Sequence, residues 1–331
     1  MKTYIIAEAG VNHNGTLEHA LRLCDAAKEA GVDAIKFQTW KTANIVTVQA
    51  RQAAYQAENT GVNESQYEML KRLELSYDNF RHIQNYCKNI GIEFLSTPDE
   101  EESLEFLMSL DLPFIKVGSG EVTNISYLRK IASYSKPVIL STGMSTLAQV
   151  AMAYDTLLQA GAPKVSLLHC TTNYPCPYEE VNLCAMQTLK EAFKCQVGYS
   201  DHTMGTEIPV AAVAMGAEII EKHFTLDRTM AGPDHKASLK PDELKLMVEQ
   251  IRHVEVGLGD GVKCPNRSEA ENAKVVQKSI LAKRPIKKGE ILTEEMLVAK
   301  RADGGISAKY WDVVIGAHAI KDFDIDDSIV L

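Results

Sequence analysis

The chain has 331 residues, 45% hydrophobic and 24% charged, a balance that supplies a sizeable core and excludes a mainly disordered polypeptide. Its net charge of −9, with no basic stripe interleaved with aromatics, excludes a nucleic-acid partner, so an anionic substrate requires a local cationic pocket. No run approaches the roughly 20 apolar residues of a membrane span, and no signal-peptide pattern precedes Tyr4, which together predict a cytoplasmic protein with no membrane partner.

From the N-terminus, one unit recurs: an amphipathic helix, a glycine suited to end it in the left-handed conformation, and a short run rich in Val, Ile and Phe. It reads Glu29-Ala30-Gly31 into Ala34-Ile35-Lys36-Phe37, and Asn89-Ile90-Gly91 into Ile92-Glu93-Phe94-Leu95. Further on, Ala160-Gly161 leads into Val165-Ser166-Leu167-Leu168, and Met215-Gly216 into Glu218-Ile219-Ile220-Glu221. Other strand-like runs begin near Tyr4, Pro113, Pro137 and Gln196. Strand and helix in strict alternation imply parallel strands. A doubly wound sheet predicts GxGxxG after the first strand, but Gly10-Val11-Asn12-His13-Asn14-Gly15 stands there, which favours a closed (β/α)₈ TIM barrel.

One connection, from about Lys41 to Ser76, is far longer than a βα loop needs and reads as a functional insertion on the barrel rim. The barrel domain is assigned to residues 1–260. A polar stretch rich in Gly and Asn reads as a linker over 261–278, and residues 279–331 as a small domain with a limited core. The seven cysteines include no CxxC pair and read as reduced packing residues.

Active sites of such barrels lie where the strands end, and the expected strand ends are consistently polar. They carry Glu8, Lys36 with Gln38, Ser96 with Thr97, Lys116 with Ser119 and Glu121, Ser141 with Thr142, His169 with Thr171, Ser200 with His202, and Glu221 with His223. Alternation puts Lys36 and Gln38 on one face, likewise Ser200 and His202, and Glu221 and His223. Buried histidines usually satisfy a core, but two at equivalent ends of strands about 5 Å apart point to a divalent-metal site with open positions for water and substrate. Lys36 and Lys116 are placed to hold phosphate or carboxylate with the hydroxyls of Thr97, Ser119 and Ser200 and the amides of Gly118-Ser119-Gly120; a Schiff-base role for either lysine competes. Glu8, Glu121 and Glu221 are acid-base or sugar-binding candidates.

In order, Ile6-Ala7-Glu8-Ala9-Gly10-Val11-Asn12-His13-Asn14-Gly15, Lys36-Phe37-Gln38-Thr39, Ser96-Thr97-Pro98, Lys116-Val117-Gly118-Ser119-Gly120-Glu121, Ser141-Thr142-Gly143-Met144, Leu168-His169-Cys170-Thr171-Thr172-Asn173-Tyr174-Pro175, Gly198-Tyr199-Ser200-Asp201-His202-Thr203, Glu221-Lys222-His223-Phe224-Thr225 and Gly232-Pro233-Asp234-His235 resemble the N-acetylneuraminate synthase family over nearly the whole chain. Asp99 departs from it, standing where relatives carry phenylalanine. The C-terminal segment looks like that family's antifreeze-like (SAF) domain, which implies a domain-swapped homodimer sending Arg301 into the partner subunit's site.

The resemblance further implies His202 and His223 as ligands of manganese, with magnesium or cobalt as alternatives. Phosphoenolpyruvate would lie among Thr97, Lys116, Ser119, Asn173, Ser200 and His202, and the sugar against Gln38, Asn63, Glu121, Tyr174, Asp234 and Arg301. Glu8, Glu221, Lys36 and Lys116 would be catalytic. The expected reaction is condensation of phosphoenolpyruvate with N-acetylmannosamine to N-acetylneuraminate; the alternative is N,N'-diacetyllegionaminate from 2,4-diacetamido-2,4,6-trideoxymannose. More distant readings are a Schiff-base pyruvate aldolase and a non-catalytic sugar or ice binder, which leaves the polar barrel mouth unexplained.

Overall fold

The computed structural model describes residues 2–62 and 64–331 and divides into two compact units, Met1–Gly259 and Asp260–Leu331. The first is a (β/α)₈ barrel. Its eight parallel strands are β1 (Tyr4–Gly10), β2 (Ala34–Thr39), β3 (Glu93–Pro98), β4 (Ile115–Val117), β5 (Val138–Ser141), β6 (Val165–His169), β7 (Val197–Asp201) and β8 (Ile219–His223). The hydrogen-bonded order is β3-β2-β1-β8-β7-β6-β5-β4, and β4 lies beside β3 to bring the ring to near closure. Gly31 (φ 79°) and Gly91 (φ 73°) end their helices in the left-handed conformation, as the helix-glycine-strand repeat predicts.

Strand alternation builds the barrel in layers. Ile6, Ala34, Leu95, Ile139, Leu168 and Ile219 pack together as an apolar plug. Two residues further along the same strands stand Glu8, Lys36, Thr97, Ser141, Cys170 and Glu221, all lining one cavity at the C-terminal end. The plug is therefore the floor on which the polar layer rests. The other faces of the strands join the larger core beneath the helices, which includes Ile5, Ala7, Ile35, Phe37, Leu167, Tyr199 and Ile220.

The long connection after β2 holds three short helices, Thr42–Ile45, Ala54–Thr60 and Gln66–Leu73. Met69 and Leu73 of the last pack with Val11 and Trp40, fixing the insertion to the rim. The stretch expected as a linker instead contains a helix, Arg267–Val276, with no buried residue. Asn266 and Glu269 form a capping box at its start, a signal masked by the absence of an apolar face.

In the second unit, β9 (Lys278–Ala282) pairs antiparallel with β10 (Leu297–Arg301). Its core is small: Ile280, Ala282, Ile286, Leu292, Leu297, Val314, Ala319, Phe323 and Ile329. Among the described residues no helix is long and apolar enough to cross a membrane.

Gly198 of β7 shows how tightly the plug is packed. A Cβ built there would lie 2.2 Å from the Ile219 carbonyl oxygen and 2.7 Å from Leu168 Cδ2. The Ile219 carbonyl cannot retreat without moving β8, and Leu168 is held within the buried plug. Gly198→Ala is expected to lower stability by about 2–3 kcal/mol, read as a lower urea midpoint at unchanged slope; a midpoint equal to that of the parent would show that the strands can part at no cost.

Candidate active site

The polar layer forms a cavity of about 190 Å³ at the strand ends. Register explains who meets whom: Glu8 on β1 is paired with Lys36 on β2 and with His223 on β8, while Ser200 on β7 is paired with Glu221 on β8. Lys36 Nζ lies 2.7 Å from Glu8 Oε2, 3.6 Å from Glu221 Oε2, and donates to Thr97 Oγ1 at 3.0 Å. Lys116 Nζ donates to Ser141 Oγ at 2.8 Å and lies 3.5 Å from Glu221 Oε1, which also accepts from Ser200 Oγ at 2.9 Å. Gln38 Nε2 donates to Glu8 Oε1 at 3.1 Å. Two lysines and two glutamates, all buried, thus share one network.

Their titration follows from position. Burial pushes the Glu8 carboxyl up to about 7, with Lys36 pulling against it and Glu221 reinforcing it. Glu221 feels the same burial, but Lys116 and Lys36 outweigh it and hold the carboxyl at about 2. Burial also opposes the charge of Lys36, yet Glu221 and Glu8 raise its pKa, whereas burial lowers that of Lys116. One carboxyl is poised near neutrality beside another that stays ionised, an arrangement that separates proton transfer from charge compensation.

On the opposite wall, Ser119 Oγ accepts from the Gly143 amide at 2.9 Å and lies 3.2 Å from Cys170 Sγ. A Cβ on Gly143 would stand 2.3 Å from Thr172 Oγ1 and 2.9 Å from Ser119 Oγ, so only glycine lets this wall close.

The two histidines sit together at the mouth, with ring centroids 5.4 Å apart. His202 Nδ1 lies 2.6 Å from the Thr171 carbonyl, which makes Nδ1 the protonated nitrogen and leaves the Nε2 lone pair free. His223 Nδ1 is buried without a hydrogen-bond partner, 3.8 Å from Asp234 Oδ2. Burial lowers both imidazole pKa values, that of His223 well below the usual range with His202 adding to it, so both rings are neutral as metal ligands must be. Among the described residues no three His, Cys, Asp or Glu side chains converge as a cation site, so a metal here would take two imidazoles and complete its shell with water and substrate oxygens.

Of the expected site residues, Glu8, Lys36, Gln38, Thr97, Lys116, Ser119, Tyr174, Ser200, His202, Glu221 and His223 line this cavity. The Tyr174 ring lies 4.1 Å from that of His202. Asp234 stands behind His223, its carboxyl pushed up to about 6 by burial. Asn173 is not among the lining residues; its backbone N–H donates to the Thr171 carbonyl at 3.0 Å. Glu121 accepts from Asn124 at 2.7 Å in a neighbouring cavity, which shares Asp99 with the first. Arg301 is an exposed residue of β10 in the second unit, and Asn63 lies outside the described residues.

Other residues contribute to the site. Asp99 lines both cavities, its carboxyl raised to about 7 by burial, and Ser141 is the hydrogen-bond partner of Lys116. Asn59, from the rim insertion, donates to the carbonyls of Pro233 at 2.7 Å and Tyr174 at 3.3 Å and so fastens that insertion over the mouth. The polar strand ends did flag Ser141, but nothing short of the fold brings Asn59 to these carbonyls.

Comparison with known proteins agrees with this architecture. Residues 23–263 match the NeuB family and residues 277–330 the SAF domain. The chain is 49% identical over 330 residues to an N,N'-diacetyllegionaminic acid synthase of Campylobacter jejuni, covering 99% of each chain. It is 46% identical to a protein of the same name from Legionella pneumophila, over 96% of this chain and 90% of the relative. Among solved structures, a sialic acid synthetase of Leptospira borgpetersenii in complex with citrate is 36% identical, with a TM-score of 0.72 over 82% of this chain and 90% of that one. With the barrel matched across most of its length and the C-terminal unit matched separately, the chain belongs to the NeuB family, an enzyme family of nonulosonate synthases, and carries a SAF domain.

Proposed function

We propose that the chain condenses phosphoenolpyruvate with 2,4-diacetamido-2,4,6-trideoxymannose, as its open-chain aldehyde, and water to give N,N'-diacetyllegionaminate and phosphate. The observation that carries this reading is the gradient of identity: 49% and 46% to the two diacetyllegionaminic acid synthases against 36% to the sialic acid synthetase. It favours the diacetamido sugar over N-acetylmannosamine, which the motifs alone put first.

The buried network supports the chemistry. Lys36 and Lys116 balance the carboxylate and phosphate of phosphoenolpyruvate, with the hydroxyls of Thr97, Ser119 and Ser200 completing the anion site. His202 and His223 hold a divalent cation, manganese in our reading, which when bound supplies Lewis acidity at the aldehyde carbonyl. The enol carbon of phosphoenolpyruvate bonds to the aldehyde carbon, and the carbonyl oxygen takes up a proton. Water then adds at the resulting cationic carbon and gives up a proton, and the tetrahedral intermediate collapses to the ketone by carbon–oxygen cleavage, its hydroxyl proton leaving with the phosphate. Glu8, poised near neutrality, is the group suited to accept and return protons, whereas Glu221 stays anionic between the two lysines and orients Ser200. The sugar would be met by Gln38, Tyr174, Asp234 and Glu121, by Asn63 as the sequence resemblance implies, and by Arg301 delivered by a partner subunit in a domain-swapped homodimer.

Three measurements test this. Phosphate release with manganese is expected to show a kcat/KM at least about tenfold higher for the diacetamido sugar than for N-acetylmannosamine, the scale on which a pocket discriminates one substituent; the reverse preference would make the chain an N-acetylneuraminate synthase, and no release with either sugar would sink the reaction assignment. His223→Ala, or stripping the metal with a chelator, is expected to abolish turnover, and full activity after chelation would refute the metal role. Finally, mixing His202→Ala and Arg301→Ala chains is expected to regenerate one intact composite site per dimer and recover part of the activity; verified heterodimers that stay inactive would argue against the swap.

A further inference from the structure

We propose that Asp201 and Lys222 are positioning residues that set the spacing of His202 and His223 from the opposite face of the sheet, a role that rests on the two histidines holding a metal. Both side chains are fully buried. They are partners in register across β7 and β8, each one residue before a histidine. Alternation turns Ser200 with Glu221 into the cavity, and turns Asp201 with Lys222 outward beneath the helix Glu207–Ala214.

The contacts are directed at Thr203, the residue that follows His202, from the strand that carries His223. Lys222 Nζ lies 2.5 Å from Asp201 Oδ2 and donates to the Thr203 carbonyl at 2.5 Å. Asp201 accepts from the Thr203 amide and from Thr203 Oγ1, each at 3.0 Å. The residues on both sides of His202 are thereby tied to each other and to Lys222, the immediate neighbour of His223. With His202 Nδ1 bound to the Thr171 carbonyl, the ring is held from its far edge as well.

Stability gives little reason for charge at this place. Removing two ions from water offsets most or all of their attraction, and well-packed apolar replacements of buried ion pairs are often neutral or better. The flanking outward positions Val197, Tyr199 and Ile220 follow that apolar rule. An ion pair that also brackets a peptide contributes something apolar side chains cannot, a fixed direction and separation for the two imidazoles. Groups behind metal ligands act in this way, and their loss typically weakens metal binding about 10- to 100-fold.

The test uses the full-length enzyme without substrates. The double variant Asp201→Asn with Lys222→Met removes both charges while leaving an acceptor for the Thr203 amide. Manganese affinity, measured from the electron paramagnetic resonance signal of the free ion, is expected to fall about 10- to 100-fold, with the unfolding midpoint of the metal-free protein close to that of the parent. In turnover, kcat is expected to fall with the KM for phosphoenolpyruvate nearly unchanged, a split that simple loss of folded protein would not produce. A folded double variant with parental manganese affinity would overturn the proposal. Should the double variant fail to fold, Thr203→Val removes only the hydroxyl that donates to Asp201; weaker manganese binding supports the bracket, and unchanged binding overturns it. A parent enzyme that binds no manganese would overturn the metal assignment together with this inference.

Discussion

The site depends on placing four ionisable side chains, Glu8, Lys36, Lys116 and Glu221, in a space where none is more than a few per cent exposed. Charges so placed are tolerable only when paired, because an uncompensated ion away from water costs several kcal/mol. The network is balanced, two cations against two carboxylates, but unevenly: Glu221 contacts both lysines and stays ionised, while Glu8, paired with Lys36 alone and close to Glu221, titrates near 7. An arriving anion competes with the carboxylates for the same lysines. In the proposed reaction the carboxyl already closest to neutrality would be the one to yield by taking a proton, which would link anion binding to proton uptake at Glu8.

The network in turn needs a rigid floor. The layer of Ile6, Ala34, Leu95, Ile139, Leu168 and Ile219 excludes water from below, and Gly198 gives Ile219 and Leu168 the room to close that layer. The change from plug to polar layer takes only two residues on each strand. Packing and electrostatics are therefore adjacent levels of one structure: a shift in the plug would move Lys36 or Glu221 by a comparable amount, and charge interactions at 3–4 Å in a low-dielectric space are sensitive to such shifts.

This layering explains what the sequence makes legible. A parallel barrel with alternating side chains announces its active end through polar residues at strand termini, and Glu8, Lys36, Ser200, Glu221 and both histidines are found facing one cavity. Alternation says nothing about loops, so Asn173, which is not among the cavity lining, and Glu121, which lines the adjoining cavity, were not separable from the lining residues. Asp201 and Lys222 were hidden for another reason. A charged residue between two cavity-facing residues reads as solvated, and only the register of β7 and β8 shows that each is the other's counter-ion. The helix Arg267–Val276 passed for a linker because it has caps but no apolar face.

Substrate identity lies furthest from what the barrel floor records. In the proposed reaction the lysines, hydroxyls and histidines would meet the enolpyruvyl phosphate and the aldehyde, the parts common to every such condensation, and so would carry no information about substituents further along the sugar. On the same proposal those substituents would face the rim: the insertion fastened by Asn59, the loop bearing Tyr174, and Asp99 between the two cavities. A constant floor under a changeable rim lets one chemistry serve several amino sugars. On this view, overall identity to relatives that share a sugar is more informative than the shared motifs. Asp99 lies between the two cavities, and a part-buried carboxyl there favours partners with N–H or O–H groups over a purely apolar face.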